Sequence, residues 1–139
     1  MAESSQAQFN EECDGIRDFM IQFVEDNKEV YGIAELKSLD VKNFDTSQVK
    51  NMKQMFNGCN ALTTLDVRHF NTNLVEDMAS MFNGCYALTS LDVSHFNTSK
   101  VESMKYMFGN CYALTSVDVS SFDTSNVTDM SYMFSGSKA

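Results

Sequence analysis

The strongest constraint on the fold is a 26-residue repeat that fills the last three quarters of the chain. The copies open at Leu36, Leu62, Leu88 and Leu114 and share columns of Phe, Val and Met. A fixed period between roughly 20 and 50 residues is typical of chains in which one small unit stacks on copies of itself. The sequence therefore predicts four stacked coils at residues 36–61, 62–87, 88–113 and 114–139. Together with a segment at residues 1–35, they form one structural domain.

The composition excludes several classes of partner. The net charge is −9, which is unsuited to nucleic acid because phosphates are bound by Lys and Arg. No apolar run approaches the roughly 18 residues of a membrane span, and residues 1–10 lack the basic and apolar regions of a signal peptide. We expect no nucleic acid and no membrane insertion. The localisation is intracellular or virion-associated for this chain, and the cell surface if a targeting segment has been removed.

The first part of each copy has the pattern of a short strand. In the third copy, Leu91 and Val93 alternate around Asp92, and an alternation of period two indicates a half-buried strand. The run Asn-Thr-Ser that follows offers Thr98 as a helix N-cap, because its hydroxyl accepts hydrogen bonds from the first amides of a helix. We expect the strands of successive copies to pair in parallel.

The second part of each copy has the pattern of a short helix. Apolar residues follow at spacings of three, three and one, namely Val101, Met104, Met107 and Phe108. This spacing is typical of one helical face, and Gly109-Asn110 is suited to a left-handed C-cap. The predicted fold class is therefore α/β, a solenoid with a short parallel strand and a short helix in each coil.

The two ends of the stack are predicted to differ. At residues 1–35, an amphipathic helix over about residues 11–27 and a decayed half repeat over 23–35 are expected to cap the first coil, as the end units of solenoids do. At the other end, the chain stops at Ala139, where a fifth copy would begin. An uncovered last coil indicates a shortened chain, a capping partner, or end-to-end self-association.

The sequence predicts neither a metal nor a cofactor. Cys59, Cys85 and Cys111 share one repeat position and no CxxC motif occurs, so we expect reduced, buried thiols rather than a zinc site. His69 and His95 share another column, which allows either a metal site with the neighbouring aspartates or a tolerant surface position. No nucleophile elbow is present, and every polar cluster is repeated. The chain is therefore predicted not to be an enzyme and to have no catalytic residues.

Two surface columns are the candidate contacts for a macromolecular partner. The first consists of Asp40, Asp66, Asp92 and Asp118. These carboxylates either bind a cation or a basic partner, or accept hydrogen bonds from backbone and neighbouring hydroxyls. The second candidate set consists of Tyr86, Tyr106, Tyr112 and Tyr132. Tyrosine is common at recognition surfaces, although these rings are alternatively packed between coils and partly buried.

The repeat resembles the BspA-like leucine-rich repeats of mycoplasma and lactobacillus surface lipoproteins. The pattern Phe-x-Thr-Ser-x-Val-x-x-Met-x-x-Met-Phe recurs in all four copies, with Asn73 in place of Ser as the one departure. The resemblance covers residues 36–139 and implies a right-handed leucine-rich-repeat solenoid with a binding or adhesion role. We therefore expect a non-catalytic protein-interaction module. The alternative is a structural protein that assembles end to end or within a larger particle such as a virion.

Overall fold

The computed structural model describes residues 36–42 and 44–139 as a stack of four coils, one for each copy of the repeat. Coils 1 to 4 are residues 36–61, 62–87, 88–113 and 114–139. Parallel bridges join them between equivalent positions, namely Asn51 to Asp77, Asp77 to Ser103, and Ser103 to Asp129. Residues one repeat apart therefore lie over one another. The cap predicted at residues 1–35, with its helix at 11–27, lies outside the described residues.

The predicted α/β leucine-rich-repeat solenoid is wrong in its secondary structure. The described part of the chain contains no helix, and its only strand pairing is the set of single-residue bridges. Each coil is instead built from consecutive tight turns. It follows that none of the described residues belongs to a helix with the length and apolarity needed to cross a membrane.

The segment expected to be helical fails to form a helix because its middle residue is left-handed. Tyr106 has a φ of 56°, whereas an α-helix requires a φ near −63°. The amides also alternate in their partners. Met107 donates to the carbonyl of Met104 in its own coil, and Phe108 donates to Met133 in the next coil. Apolar residues three positions apart suit such turns as well as a helical face, so their spacing did not distinguish the two.

Side-chain hydrogen bonds begin these turns. The Asn51 side-chain oxygen accepts from the amide of Lys53 at 2.8 Å, and Asp129 accepts from the amide of Ser131 at 2.9 Å. Such bonds to the backbone two residues further on hold a turn and compete with helical hydrogen bonding. The strand predicted around Leu91 and Val93 is absent, and Asp92 there accepts from the amide of Ser94 at 3.0 Å, which holds another turn.

The threonine column joins successive coils and does not cap helices. The buried Thr72 hydroxyl donates to the carbonyl of Asn97 at 3.0 Å and accepts from the amide of Asn97 at 2.8 Å. Thr46 bonds in the same way to Asn71, and Thr98 to Asp123. The predicted N-cap role is wrong because no helix follows in the described part of the chain. The hydroxyl instead satisfies both backbone groups of one residue in the next coil.

The prediction that like side chains stack on like is confirmed. The ring centroids of Phe56 and Phe82 lie 5.7 Å apart with an interplanar angle of 10°, and Phe108 continues the stack at 5.7 Å. Phe70 and Phe96 belong to the same buried cluster. The apolar columns therefore form one continuous core through the coils.

The cysteine column is part of this core. Cys59, Cys85 and Cys111 are buried thiols that form no disulfide, as expected from the sequence. The thiol of Cys111 donates to the carbonyl of Phe82 at 3.2 Å, and burial raises its pKa to about 11. The thiol is therefore protonated at neutral pH and serves as a small core side chain.

The outer face of coil 4 is exposed. Met130 is 48% exposed, whereas Met52, Met78 and Met104 in the same column are fully buried, and Phe134 is 36% exposed. In coils 1 to 3, amides at the positions of Met130 and Phe134 donate to the following coil. In coil 4 these two amides make no backbone hydrogen bond within the described residues. Coil 4 therefore presents apolar side chains together with backbone donors.

Candidate functional site

The aspartate column borders a groove on the described residues with a volume of about 520 Å³. Its lining consists of three rows from coils 1 to 3, together with Arg68. The rows are Ser38, Thr64 and Ser90; Leu39, Leu65 and Leu91; and Asp40, Asp66 and Asp92. Arg68 pairs with Asp66 through two hydrogen bonds of 3.0 Å. The groove is therefore mixed in polarity, and its charge is partly neutralised.

Local hydrogen bonds hold each of these carboxylates. Asp66, Asp92 and Asp118 each accept from the amide two residues further on, at 3.0, 3.0 and 2.9 Å. Hydrogen bonds from side chain and backbone lower the pKa of all three, with Arg68 acting on Asp66, Ser94 on Asp92 and Ser120 on Asp118. Of the alternatives predicted for the aspartate column, the structure shows carboxylates that accept hydrogen bonds from the backbone and from neighbouring side chains. Within the described residues, no group of three or more His, Cys, Asp or Glu side chains is placed to hold a metal ion.

The histidine column is engaged in the fold. Nε2 of His69 bonds to the carbonyl oxygen of Val41 at 2.6 Å, and His95 bonds likewise to Val67 at 2.9 Å. Because a carbonyl can only accept, Nε2 carries the proton in both rings. Each ring also packs edge-on against the phenylalanine that follows it. These imidazoles therefore connect adjacent coils through Nε2.

The four candidate tyrosines form two stacked pairs. Tyr86 and Tyr112 have centroids 4.9 Å apart at an interplanar angle of 13°, and Tyr106 and Tyr132 are 4.9 Å apart at 14°. Tyr86, Tyr112 and Tyr132 remain 43%, 48% and 59% exposed. The rings are thus packed against one another between coils and still open to solvent. None of these four tyrosines lines the aspartate groove, so the two candidate surfaces are separate.

A column of side-chain amides runs between the tyrosine pairs. Asn83 donates to Asn57 at 3.0 Å, Asn110 donates to Asn83 at 3.2 Å, and the Tyr112 hydroxyl donates to Asn110 at 3.3 Å. A Cβ at Gly109 would lie 3.1 Å from the Tyr106 ring, which places the column beside that pair as well. We call this surface the tyrosine face: Tyr86, Tyr106, Tyr112 and Tyr132 with Asn57, Asn83 and Asn110. Sequence reasoning missed the asparagines because it assigned them to helix ends, although the reversed order Gly109-Asn110 was a visible signal.

Two of the tyrosines sit on backbone that disfavours them. Tyr106 and Tyr132 have φ values of 56° and 58°, and a bulky residue in this left-handed region is a marked outlier. Four residues further along each coil, the second left-handed position is occupied by Gly58, Gly84, Asn110 or Gly136, the residue types that tolerate it. Backbone conformation therefore does not explain why tyrosine occupies positions 106 and 132.

Comparison with known proteins identifies a family and no individual relative. Residues 19–139 match a family model described as Mycoplasma protein of unknown function, DUF285. No curated protein and no solved structure matches the chain.

Proposed function

The chain belongs to this mycoplasma family, and we propose that it is a non-catalytic protein-interaction module that binds a macromolecular partner through the tyrosine face. The observation that carries the proposal is the pair Tyr106 and Tyr132. Both have left-handed backbone, and Tyr132 is the most exposed of the large apolar residues. Conformational strain that is retained at a surface is typical of functional sites.

The stacked geometry suits the tyrosine face for recognition. Binding costs free energy when mobile side chains become ordered, and Tyr has only two side-chain torsions to fix. Stacking at 4.9 Å holds Tyr106 against Tyr132, and Tyr86 against Tyr112, before any partner arrives. The face thus offers large amphipathic side chains at a reduced entropic cost.

The resemblance to BspA-like repeats supports the same role, because that resemblance implies binding or adhesion at a surface.

The engagement of the repeated polar groups supports a non-catalytic role. The imidazoles of His69 and His95 bond to carbonyl groups, and the carboxylates of Asp66 and Asp92 bond to backbone amides. These are the titratable groups that an acid–base mechanism would require to be available.

The repeat itself supplies the test of the tyrosine face. Ser80 occupies the same column as Tyr106 with a φ of 58°, so the double variant Tyr106→Ser/Tyr132→Ser keeps a residue that this backbone accepts. We expect the intact chain to capture a partner that mass spectrometry identifies, and the double variant to lose it. The control is Lys100→Asn, which copies Asn126 of the next copy and should leave capture unchanged. Capture that is equally strong with the double variant would refute the proposal.

Exposure of coil 4 favours a second candidate, a structural protein that associates through this coil end to end or within a larger particle such as a virion. Met130 and Phe134 are apolar and exposed, and their amides have no backbone partner among the described residues. An edge of this kind pairs readily with another chain. Light scattering should then show a mass that rises with concentration, and Met130→Lys should abolish the rise. A mass that is independent of concentration would exclude this candidate.

A further inference from the structure

The negatively charged side chains of each coil lie to one side of the stack. Residues 52–64, 78–90, 104–116 and 130–139 contain neither Asp nor Glu, whereas all the Asp and Glu residues of 36–139 lie outside these segments. Because residues one repeat apart lie over one another, the acid-free segments form one continuous side of the stack. The tyrosine face lies within it. A chain with a net charge of −9 thus presents this face without a carboxylate.

Lysines accompany the tyrosines on the acid-free side. Nζ of Lys105 lies 5.9 Å from the ring centroid of Tyr106, within the range of a cation–π interaction. Lys53 is two repeats before Lys105 in the same column, and Lys138 follows Tyr112 in its column. The tyrosine face is therefore flanked by ammonium groups.

Asp129 marks the edge of the acid-free side. Its carboxylate accepts from the amide and the hydroxyl of Ser131 at 2.9 and 2.6 Å. These bonds are the main reason that its pKa is lowered, and Lys105 lowers it further. The Asp129 carboxylate is thus engaged mainly with Ser131 and lies near Lys105.

The tyrosine face has polar groups that can donate hydrogen bonds to a partner. The hydroxyls of Tyr106 and Tyr132 make no hydrogen bond with the described residues, whereas the side-chain oxygens of Asn57, Asn83 and Asn110 already accept bonds within the face. Phenol hydroxyls and ammonium groups both donate at neutral pH. A complementary partner supplies acceptors and negative charge.

We propose that the tyrosine face binds an acidic peptide segment of its partner, with carboxylates meeting the Lys53 and Lys105 ammonium groups and the tyrosine hydroxyls. This inference rests on the proposed function, since it names the partner chemistry of the same face. The Asp129 carboxylate beside Lys105 is held mainly by Ser131, and carboxylates more than about 8 Å away are largely screened at physiological salt. An acidic peptide is favoured over an anionic glycan because stacked tyrosines are characteristic of protein–protein contacts.

The test uses the whole chain and a fluorescein-labelled hexaglutamate peptide, with hexaglutamine as the uncharged comparison. Fluorescence anisotropy should show hexaglutamate binding that weakens as salt is raised, and no hexaglutamine binding. The double variant Lys53→Ala/Lys105→Ala introduces the residue type that Ala79 already provides in the same column. It should weaken binding about tenfold, as the loss of two exposed ion pairs does. Tyr106→Ser/Tyr132→Ser should weaken it too.

Lys100→Asn is the matched control, because Lys100 is a lysine outside the acid-free segments. It removes one positive charge from the chain and should change hexaglutamate affinity by less than about twofold. If Lys100→Asn loses as much hexaglutamate affinity per removed charge as Lys53→Ala/Lys105→Ala does, only net charge matters and the proposal is overturned. Absence of hexaglutamate binding would also overturn it, as would a sulfated oligosaccharide that binds in its place with the same lysine dependence. If hexaglutamate fails to bind while Tyr106→Ser/Tyr132→Ser still abolishes partner capture, the acidic class is wrong and the proposed function stands.

Discussion

The side-chain amide of Asn110 donates to the side-chain oxygen of Asn83 at 3.2 Å, although the two positions differ by 27 in the sequence. Gly109 holds the position that is in register with Asn83, and a Cβ there would lie 2.7 Å from the Asn83 oxygen. Asn110 adopts a φ of 55° where coils 1 and 2 have Gly58 and Gly84. The exchanged order of Gly and Asn therefore preserves the amide column of the tyrosine face.

Gly109→Ala should destabilise the chain by about 1 kcal/mol. The new methyl group displaces the Asn83 oxygen, and the hydrogen bond from Asn110 is lost. Urea denaturation gives the free energy of unfolding. In an Asn83→Ala background the obstacle is gone, so the same change should cost less. An equal cost in both backgrounds would show that the Asn83 oxygen is not what the methyl group meets.

Thr72→Val should cost roughly 1–3 kcal/mol. Valine keeps the shape but leaves the amide and the carbonyl of Asn97 without their hydroxyl partner, and an unsatisfied buried polar group carries its full desolvation penalty. Thr124→Val is the control, because the exposed Thr124 hydroxyl has no such bond in the described part of the chain. Its effect should stay within about 0.5 kcal/mol. Equal effects of the two changes would rule out the inter-coil role of the threonine column.

Substitutions at Ser80 distinguish a left-handed turn from a helix by whether they raise or lower the free energy of unfolding. Ser80 has a φ of 58°, so Ser80→Gly should raise the free energy of unfolding by up to about 1 kcal/mol as the strain of a Cβ is removed. Inside a helix the same change would be destabilising. Ser80→Val should lower stability, since β-branched residues tolerate this region least. Thermal unfolding by circular dichroism measures both, and a lower Tm for Ser80→Gly would contradict the turn.

Acid should destabilise the stack. Hydrogen bonds lower the pKa of Asp92, Asp118 and Asp123 in the folded chain, so the folded state binds fewer protons than the unfolded state. Their contribution is therefore present above the unfolded pKa of about 4 and is lost as pH falls toward the lower folded pKa. The Tm should fall between about pH 5 and pH 3. Asp123→Asn, which copies Asn97 and keeps an acceptor oxygen, should show a smaller fall, and an unchanged pH profile would contradict this assignment.

The core was predictable because its signal depends only on the repeat period. Phe82 lies over Phe56 in any stack of 26-residue units, and the buried thiols follow from the same reasoning. The local backbone was not predictable from apolar spacing. Met104 and Met107 are three residues apart, which fits a helical face and also the turn in which Met107 donates to Met104.

The candidate site was predictable only in part. Tyrosine at a variable position of the repeat pointed to Tyr106 and Tyr132, because tyrosine is common at recognition surfaces. Tyr132 is exposed, whereas Tyr106 is half-buried. Their left-handed backbone and the amide column beside them depend on contacts between coils. The bond from Asn110 to Asn83 crosses the repeat one position out of register, so no reading of equivalent positions would have paired them.

Alternate amides in coils 1 to 3 donate to carbonyl groups 25 residues further along, as Met52 does to Asp77 and Phe56 to Met81. Every junction between neighbours thus relies on the same main-chain atoms and on side chains that recur in all units. Duplication or deletion of one whole unit within the array recreates the main-chain hydrogen bonds of an existing junction. Such a protein can change its length through recombination among its own copies, while the tyrosines and lysines on its surface diverge independently.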